Sequence, residues 1–253
     1  MNVRCLTTLA GALAMSGAAN GGFVGLHVDQ FDRDYFANYT GDPGIDNEIV
    51  SYYDAGWRVF RVYLRFDNLE EDAGDRLLWW GGSDGTDDLG PLSIEGAEIY
   101  NVAWHDDPFF KPAFNSVFVP GQRDAPFDSW IAFGSDAEGD PAEGELLGEF
   151  ADGTIPMWEY PLYSENAGIT ADPSLNQGDA WAQTTPGLVP IFQVTVRDYD
   201  WLCVDFSFTW DVEGGPPGDQ FNETASFCYI PPAPGALALF GLAGLGGTRR
   251  RRG

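Results

Sequence analysis

The sequence predicts an all-β fold, a two-sheet sandwich of jelly-roll or Greek-key type with long ordered loops. Three observations carry that expectation. Apolar and polar residues alternate strictly in GWRVFRVYLRFDN and again in WLCVDFSFTWDV, the signature of strands with one wet face. The 32 Gly and 17 Pro interrupt the chain so often that few stretches are long enough for a helix. The 9 Trp, 10 Tyr and 18 Phe supply bulky core side chains suited to short strands separated by turns.

Taken in order, Phe23 to Val28 is an apolar run and the first strand candidate. Asp29 to Tyr53 mixes acids, aromatics and a Gly41-Asp42-Pro43-Gly44 turn, and reads as a long connection holding one helical turn. In the alternating strand that follows, Phe60, Val62, Leu64 and Phe66 share one face. Arg58, Arg61 and Arg65 are read as gathered on the other and paired with neighbouring carboxylates. Asp75 to Trp80 and Glu98 to Trp104 are strand candidates separated by GGSDGTDDLGP. The stretch HDDPFFKPAFNSVFVPGQRDAP is broken by prolines and reads as an ordered loop packed through its phenylalanines. Asp128 to Gly134 is a short strand, Ser135 to Glu149 is acidic and glycine-rich, and Met157 to Pro186 reads as loop.

The last two strands determine each other's register. In WLCVDFSFTWDV, Leu202, Val204, Phe206, Phe208, Trp210 and Val212 face one way; Cys203, Asp205, Ser207, Thr209 and Asp211 face the other. The turn-rich EGGPPGD leads to NETASFCYI. An antiparallel pairing with Val204 opposite Phe227 and Leu202 opposite Tyr229 also sets Asp205 beside Ser226, Ser207 beside Thr224 and Cys203 beside Cys228. Opposed strand residues lie ~4.5–5.5 Å apart at Cα, inside the ~4.4–6.8 Å range of disulfides. The register predicts a Cys203–Cys228 bridge.

The two ends have a different character. MNVRCLTTLAGALAMSGAANGG sets Arg4 before an apolar run and small residues near Ala18-Ala19, the order of a secretory signal peptide cleaved near Ala19. Cys5 precedes the apolar run, where a lipoprotein signal would place its cysteine after it. At the other end PPAPGALALFGLAGLGGTRRRRG joins a proline-rich breaker, a short apolar run and Arg249, Arg250, Arg251 and Arg252. As a helix the 13 residues from Gly235 to Gly247 would span ~20 Å, short of a ~30 Å hydrocarbon core. The arginines would remain on the cytoplasmic side. The domain organisation read from these features is residues 1–19 as signal peptide, 20–230 as one β-sandwich domain and 231–253 as a tail.

The tail resembles the PEP-CTERM sorting signal of exosortase-type systems, with Ala233 standing between Pro232 and Pro234 where that motif has glutamate. The resemblance implies export, transient membrane contact through the tail, and an exosortase-type processing enzyme as partner. It implies a destination at the cell surface or in the extracellular matrix. A second resemblance covers Gly56 to Glu149, through Phe60-Arg61-Val62-Tyr63, Phe66-Asp67-Asn68, Gly74-Asp75-Arg76-Leu77-Leu78 and Asp128-Ser129-Trp130 with Gly134. Those motifs look like a module of secreted proteins of marine bacteria, which implies no catalytic residues.

The net charge of −26 grows more negative once the ends are set aside, because Arg4 and the four terminal arginines lie outside the acidic part. That charge excludes nucleic acid and anionic lipid as partners and favours solubility and divalent cations. The acidic loop Asp136, Glu138, Asp140, Glu143 and Glu145 offers hard oxygen ligands for Ca²⁺, with Asp84, Asp87 and Asp88 as a second cluster. Neither follows the spacing of an EF-hand loop, and solvated acidic turns are the plainer reading. With only His27 and His105, the chain cannot build a multi-imidazole metal site. His105-Asp106-Asp107 would supply two members of a hydrolytic triad, but no G-x-S-x-G elbow accompanies them. Sugar stacking has candidates in Trp79, Trp80 and Trp104, since adjacent tryptophans in one strand must face opposite ways; the plainer role of these rings is to close the core.

These features together describe an exported, non-catalytic protein of the cell surface or matrix. A carbohydrate-binding module with extracellular polysaccharide as its partner, and a glycan-active hydrolase, stand as the alternatives. Exposed aromatics in a row would favour the first and facing carboxylates the second.

Overall fold

The structure is a computed structural model describing residues 22–71, 73–83, 89–97, 99–100, 125–127, 129–135, 144–151, 161–170, 177–212 and 220–231. Two antiparallel sheets pack face to face, so the all-β sandwich expected from alternation is the observed architecture.

The first sheet has the order β1-β2-β9-β5, with β1 (Phe23–Gln30), β2 (Trp57–Phe66), β5 (Trp130–Ile131) and β9 (Leu188–Arg197). β2 keeps its alternation: Phe60, Val62, Leu64 and Phe66 are buried toward the opposite sheet. β9 reads differently, because eight of its ten residues are buried and it is covered on both faces. Pro190 sits where the β2–β9 register shifts, a position at which a strand tolerates a residue without an N–H.

The second sheet runs β6-β8-β3-β10-β4-β7, with β11 on the other edge of β10. Its strands are β3 (Asp75–Gly81), β4 (Leu92–Gly96), β6 (Glu145–Gly148), β7 (Leu162–Ser164), β8 (Ala167–Thr170), β10 (Leu202–Val212) and β11 (Gln220–Tyr229). β3 and β4 lie end to end along one edge of β10, pairing with residues 207–212 and 202–205. The β10–β11 register is the predicted one throughout, including Leu202 opposite Tyr229 and Cys203 opposite Cys228, and the two cysteines are bridged.

Aromatic rings fill the space between the sheets. Phe192 of β9 meets Trp80 of β3 at 6.1 Å and Phe206 of β10 at 5.7 Å; Phe66 meets Trp210 at 5.8 Å, and Phe23 meets Phe208 at 4.7 Å. Trp80 also donates its Nε1–H to the Ala132 carbonyl at 3.0 Å, tying the sheets by a hydrogen bond inside the apolar layer.

Several expectations are corrected. The connection after β1 holds two helices, α1 (Arg33–Phe36) and α2 (Pro43–Asp54), rather than one helical turn. Asp42 caps α2 by accepting from the amides of Gly44 and Ile45, with Pro43 in the first turn where no N–H is needed. The helix stops at Gly56, whose φ of 97° suits glycine at that C-terminal position. Ile49, Val50 and Phe36 pack with Val59 and Phe127 on the outer face of the first sheet, which explains why β2 and β9 are covered there. A strand that was not expected, β4, lies at Leu92–Gly96; of the strand expected at Glu98 to Trp104, residues 99–100 are not in a strand, and residues 98 and 101–104 lie outside the described residues. β7 and β8 fall within the stretch read as loop. Arg58 does not share a face with Arg61: it bonds Asp198 at 2.8 Å, whereas Arg61 bonds the Gln193 side-chain oxygen at 3.0 Å.

Candidate functional site

Polar and aromatic side chains gather on the outer face of each sheet. On the first, β1 contributes His27 and Asp29 and β2 contributes Arg61 and Tyr63, with Asp29 opposite Arg61 and His27 opposite Tyr63. His27 Nε2 lies 3.1 Å from Asp29 Oδ1. The Arg61 guanidinium stands over the Phe31 and Trp130 rings at 5.0 and 5.1 Å while bonding Gln193. These contacts hold Arg61 as a cross-link from β2 to β5, to β9 and to Phe31 just after β1. The His27 ring also lies 5.7 Å, centroid to centroid, from the Tyr63 ring.

Tyr63 in this cluster gives a test of the packing. Burial pushes its phenol up from 10.0 to about 12, with Arg61 opposing the shift and Asp29 adding to it. The fold therefore favours the neutral phenol. Its contribution is complete below pH ~10, the value of an unfolded tyrosine, and is lost as the pH rises toward 12. Urea midpoints measured at pH 9 and pH 11.5 should show about 2 kcal/mol of alkaline loss that Tyr63→Phe removes. An identical alkaline loss in Tyr63→Phe would show that Tyr63 is not the group responsible.

The second sheet carries the more open site. Its outer face has a cross-strand row of Glu145, Thr170, Trp79, Thr209 and Asn222, set by the pairings of β6 with β8, β8 with β3, β3 with β10, and β10 with β11. Trp79 is the one large ring in that polar row. Its indole lies over Gly168: a Cβ there would come within 2.4 Å of Trp79 Nε1, so the ring rests on bare backbone. Beside it a groove of about 880 Å³ opens, lined by Trp79, Gly82, Ser83, Leu89, Glu149 and the β7–β8 turn from Tyr163 to Asn166.

Backbone approach holds that turn in place. A Cβ on Gly82 would lie 2.1 Å from the Ser164 carbonyl, and the Gly82 amide donates to the Ala167 carbonyl at 2.8 Å. Gly148 has a φ of 55° and leaves room for the Asn166 carbonyl, which accepts from the Glu149 amide at 3.0 Å. Ser164 donates its hydroxyl to Glu149 Oε2 and accepts from the Asn166 amide at 3.1 Å. Tyr163 donates to Glu165 at 2.9 Å, and that bond raises the phenol above its ordinary value. Tyr163 is nevertheless 60% exposed. The groove thus offers two aromatic rings, two carboxylates, hydroxyls and an amide on a floor fixed by main-chain contacts.

Of the tryptophans considered for sugar stacking, Trp79 lines this groove; Trp80 is fully buried between the sheets and presents no face to a ligand. Trp104 lies outside the described residues, as do His105, Asp136, Glu138, Asp140, Glu143, Asp84, Asp87 and Asp88. Glu145 opens strand β6 opposite Thr170 rather than sitting in a loop. Among the described residues no three His, Cys, Asp or Glu side chains converge as metal ligands. Sequence reasoning missed Tyr163, Glu165, Asn166 and Glu149. The available signal was the polar Ser164-Glu165-Asn166 between Leu162 and Ala167, which marks a break between two short strands.

Comparison of the chain with protein-family models, curated proteins and solved structures finds no match.

Proposed function

We propose that this chain is an exported, non-catalytic protein of the cell surface or extracellular matrix, sorted through residues 231–253 by an exosortase-type processing enzyme. The supporting observation is the Cys203–Cys228 disulfide between the last two strands. Disulfides persist in oxidising compartments, and this one clamps the edge strand from which the tail departs. β11 ends at Tyr229, and the proline-rich breaker begins at Pro231, so the tail is joined to the fold almost without a linker. A processing enzyme acting there would work within a few residues of a strand held by a disulfide. No helix among the described residues is long and apolar enough to cross a membrane.

Mass spectrometry of the surface-associated protein should find a C-terminus between Ile230 and Pro234, with Arg249 to Arg252 absent. Changing those four arginines to neutral residues should leave the chain unprocessed in the medium. A mature surface form that retains its arginine cluster would replace sorting by a plain membrane tail.

A further inference from the structure

The groove on the outer face of the second sheet belongs to the folded sandwich and does not depend on how the tail is processed. Its chemistry is specific. Trp79 is supported from below by Gly168 and the Tyr163 ring is exposed beside it, so both can offer flat apolar surface to a ligand. Glu149, Ser164, Glu165 and Asn166 place acceptors and donors within the same groove. Flat apolar faces ringed by equatorial hydroxyls are what a pyranose presents, and rings flanked by carboxylate, hydroxyl and amide groups complement both parts. The groove is open rather than enclosing, which admits an internal stretch of a long chain instead of only a small molecule.

Charge narrows the class further. The groove contains Glu149 and Glu165, the row beside it contains Glu145, and among the described residues no lysine or arginine lines it. The whole chain carries −26. Uronate or sulfate groups would enter against that field, whereas uncharged hydroxyls would not. We infer that the groove bounded by Trp79, Tyr163, Glu149 and Glu165 binds a neutral hexose polysaccharide and discriminates against acidic ones.

The test is affinity electrophoresis and titration calorimetry of the full chain, disulfide intact, against mixed-linkage β-glucan, galactomannan and alginate. At least one neutral polymer should retard the protein, in low and in moderate salt alike, and alginate should not. Tyr163→Ala should weaken binding by about tenfold, and Trp79→Ala by at least as much. Tyr163 is exposed, so its variant should melt like the parent and separate lost binding from lost folding. Lack of retardation by both neutral polymers would overturn the inference, and so would retardation by alginate of equal strength. Neutral-polymer binding unchanged in both Trp79→Ala and Tyr163→Ala would place any sugar site elsewhere and overturn it equally.

Discussion

Replacing Trp80 with alanine should cost about 3–5 kcal/mol of stability, the range for deleting a large buried aromatic. Trp80 is fully buried, its ring contacts Phe192 and Phe206 from the two sheets, and its Nε1–H satisfies the Ala132 carbonyl. The substitution would remove the packing and leave that carbonyl without its indole donor. Trp80→Phe separates the two parts: it keeps most of the ring, so it should recover most of the loss while still lacking the donor. Urea unfolding with constant slope is the measurement. A loss below about 1 kcal/mol for Trp80→Ala would mean that the sheets do not pack through this side chain.

Reducing the Cys203–Cys228 disulfide should have the second large effect. The cysteines are 25 residues apart, and closing a loop of that length removes unfolded-state entropy worth roughly 3.5 kcal/mol. The bond lies at the end of the β10–β11 hairpin remote from its turn, so the reduced protein should fray there first. Amide exchange should accelerate at residues 202–205 and 226–229 before it does near the turn. Cys203 and Cys228 should be unreactive toward thiol reagents in the denatured, non-reduced chain. Two reactive thiols at these positions would contradict the pairing.

Legibility in the sequence followed the wetting of each strand. β10 and β11 could be paired because two alternating faces and a pair of cysteines demanded the same register. β2 was readable for the same reason, being polar on one face. β9 was not, because LVPIFQVTVR is buried on both faces and so loses its alternation, and its internal proline resembles a strand breaker. α2 mixes polar and apolar residues without a strong stripe, and its Asp42-Pro43 start looks like a turn until the helix behind it is known. β7 and β8 are three and four residues long, too short to show any period.

The candidate groove was half legible. Two adjacent tryptophans in one strand require one to leave the core, and Trp79 is the one that does. Its partners come from a turn some 85 residues further on, brought close by the β3–β8 and β4–β7 pairings. No local pattern in the sequence contains that juxtaposition. Arg61 illustrates the same limit: its parity was readable, but its Gln193 partner lies 132 positions away on a strand that alternation could not reveal.

The central place of β9 and β10 has a temporal meaning. Until residues 188–212 emerge, the earlier strands can form only separate ribbons: β1 with β2, β3 with β8 and β6, and β4 with β7. An isolated two-stranded ribbon is marginal in water, and the contacts that unite the ribbons bridge gaps as long as the 140 positions from Arg58 to Asp198. Synthesis order therefore acts as a timer. The greater part of the chain is made before either sheet can be completed, and both sheets close once β9 and β10 arrive.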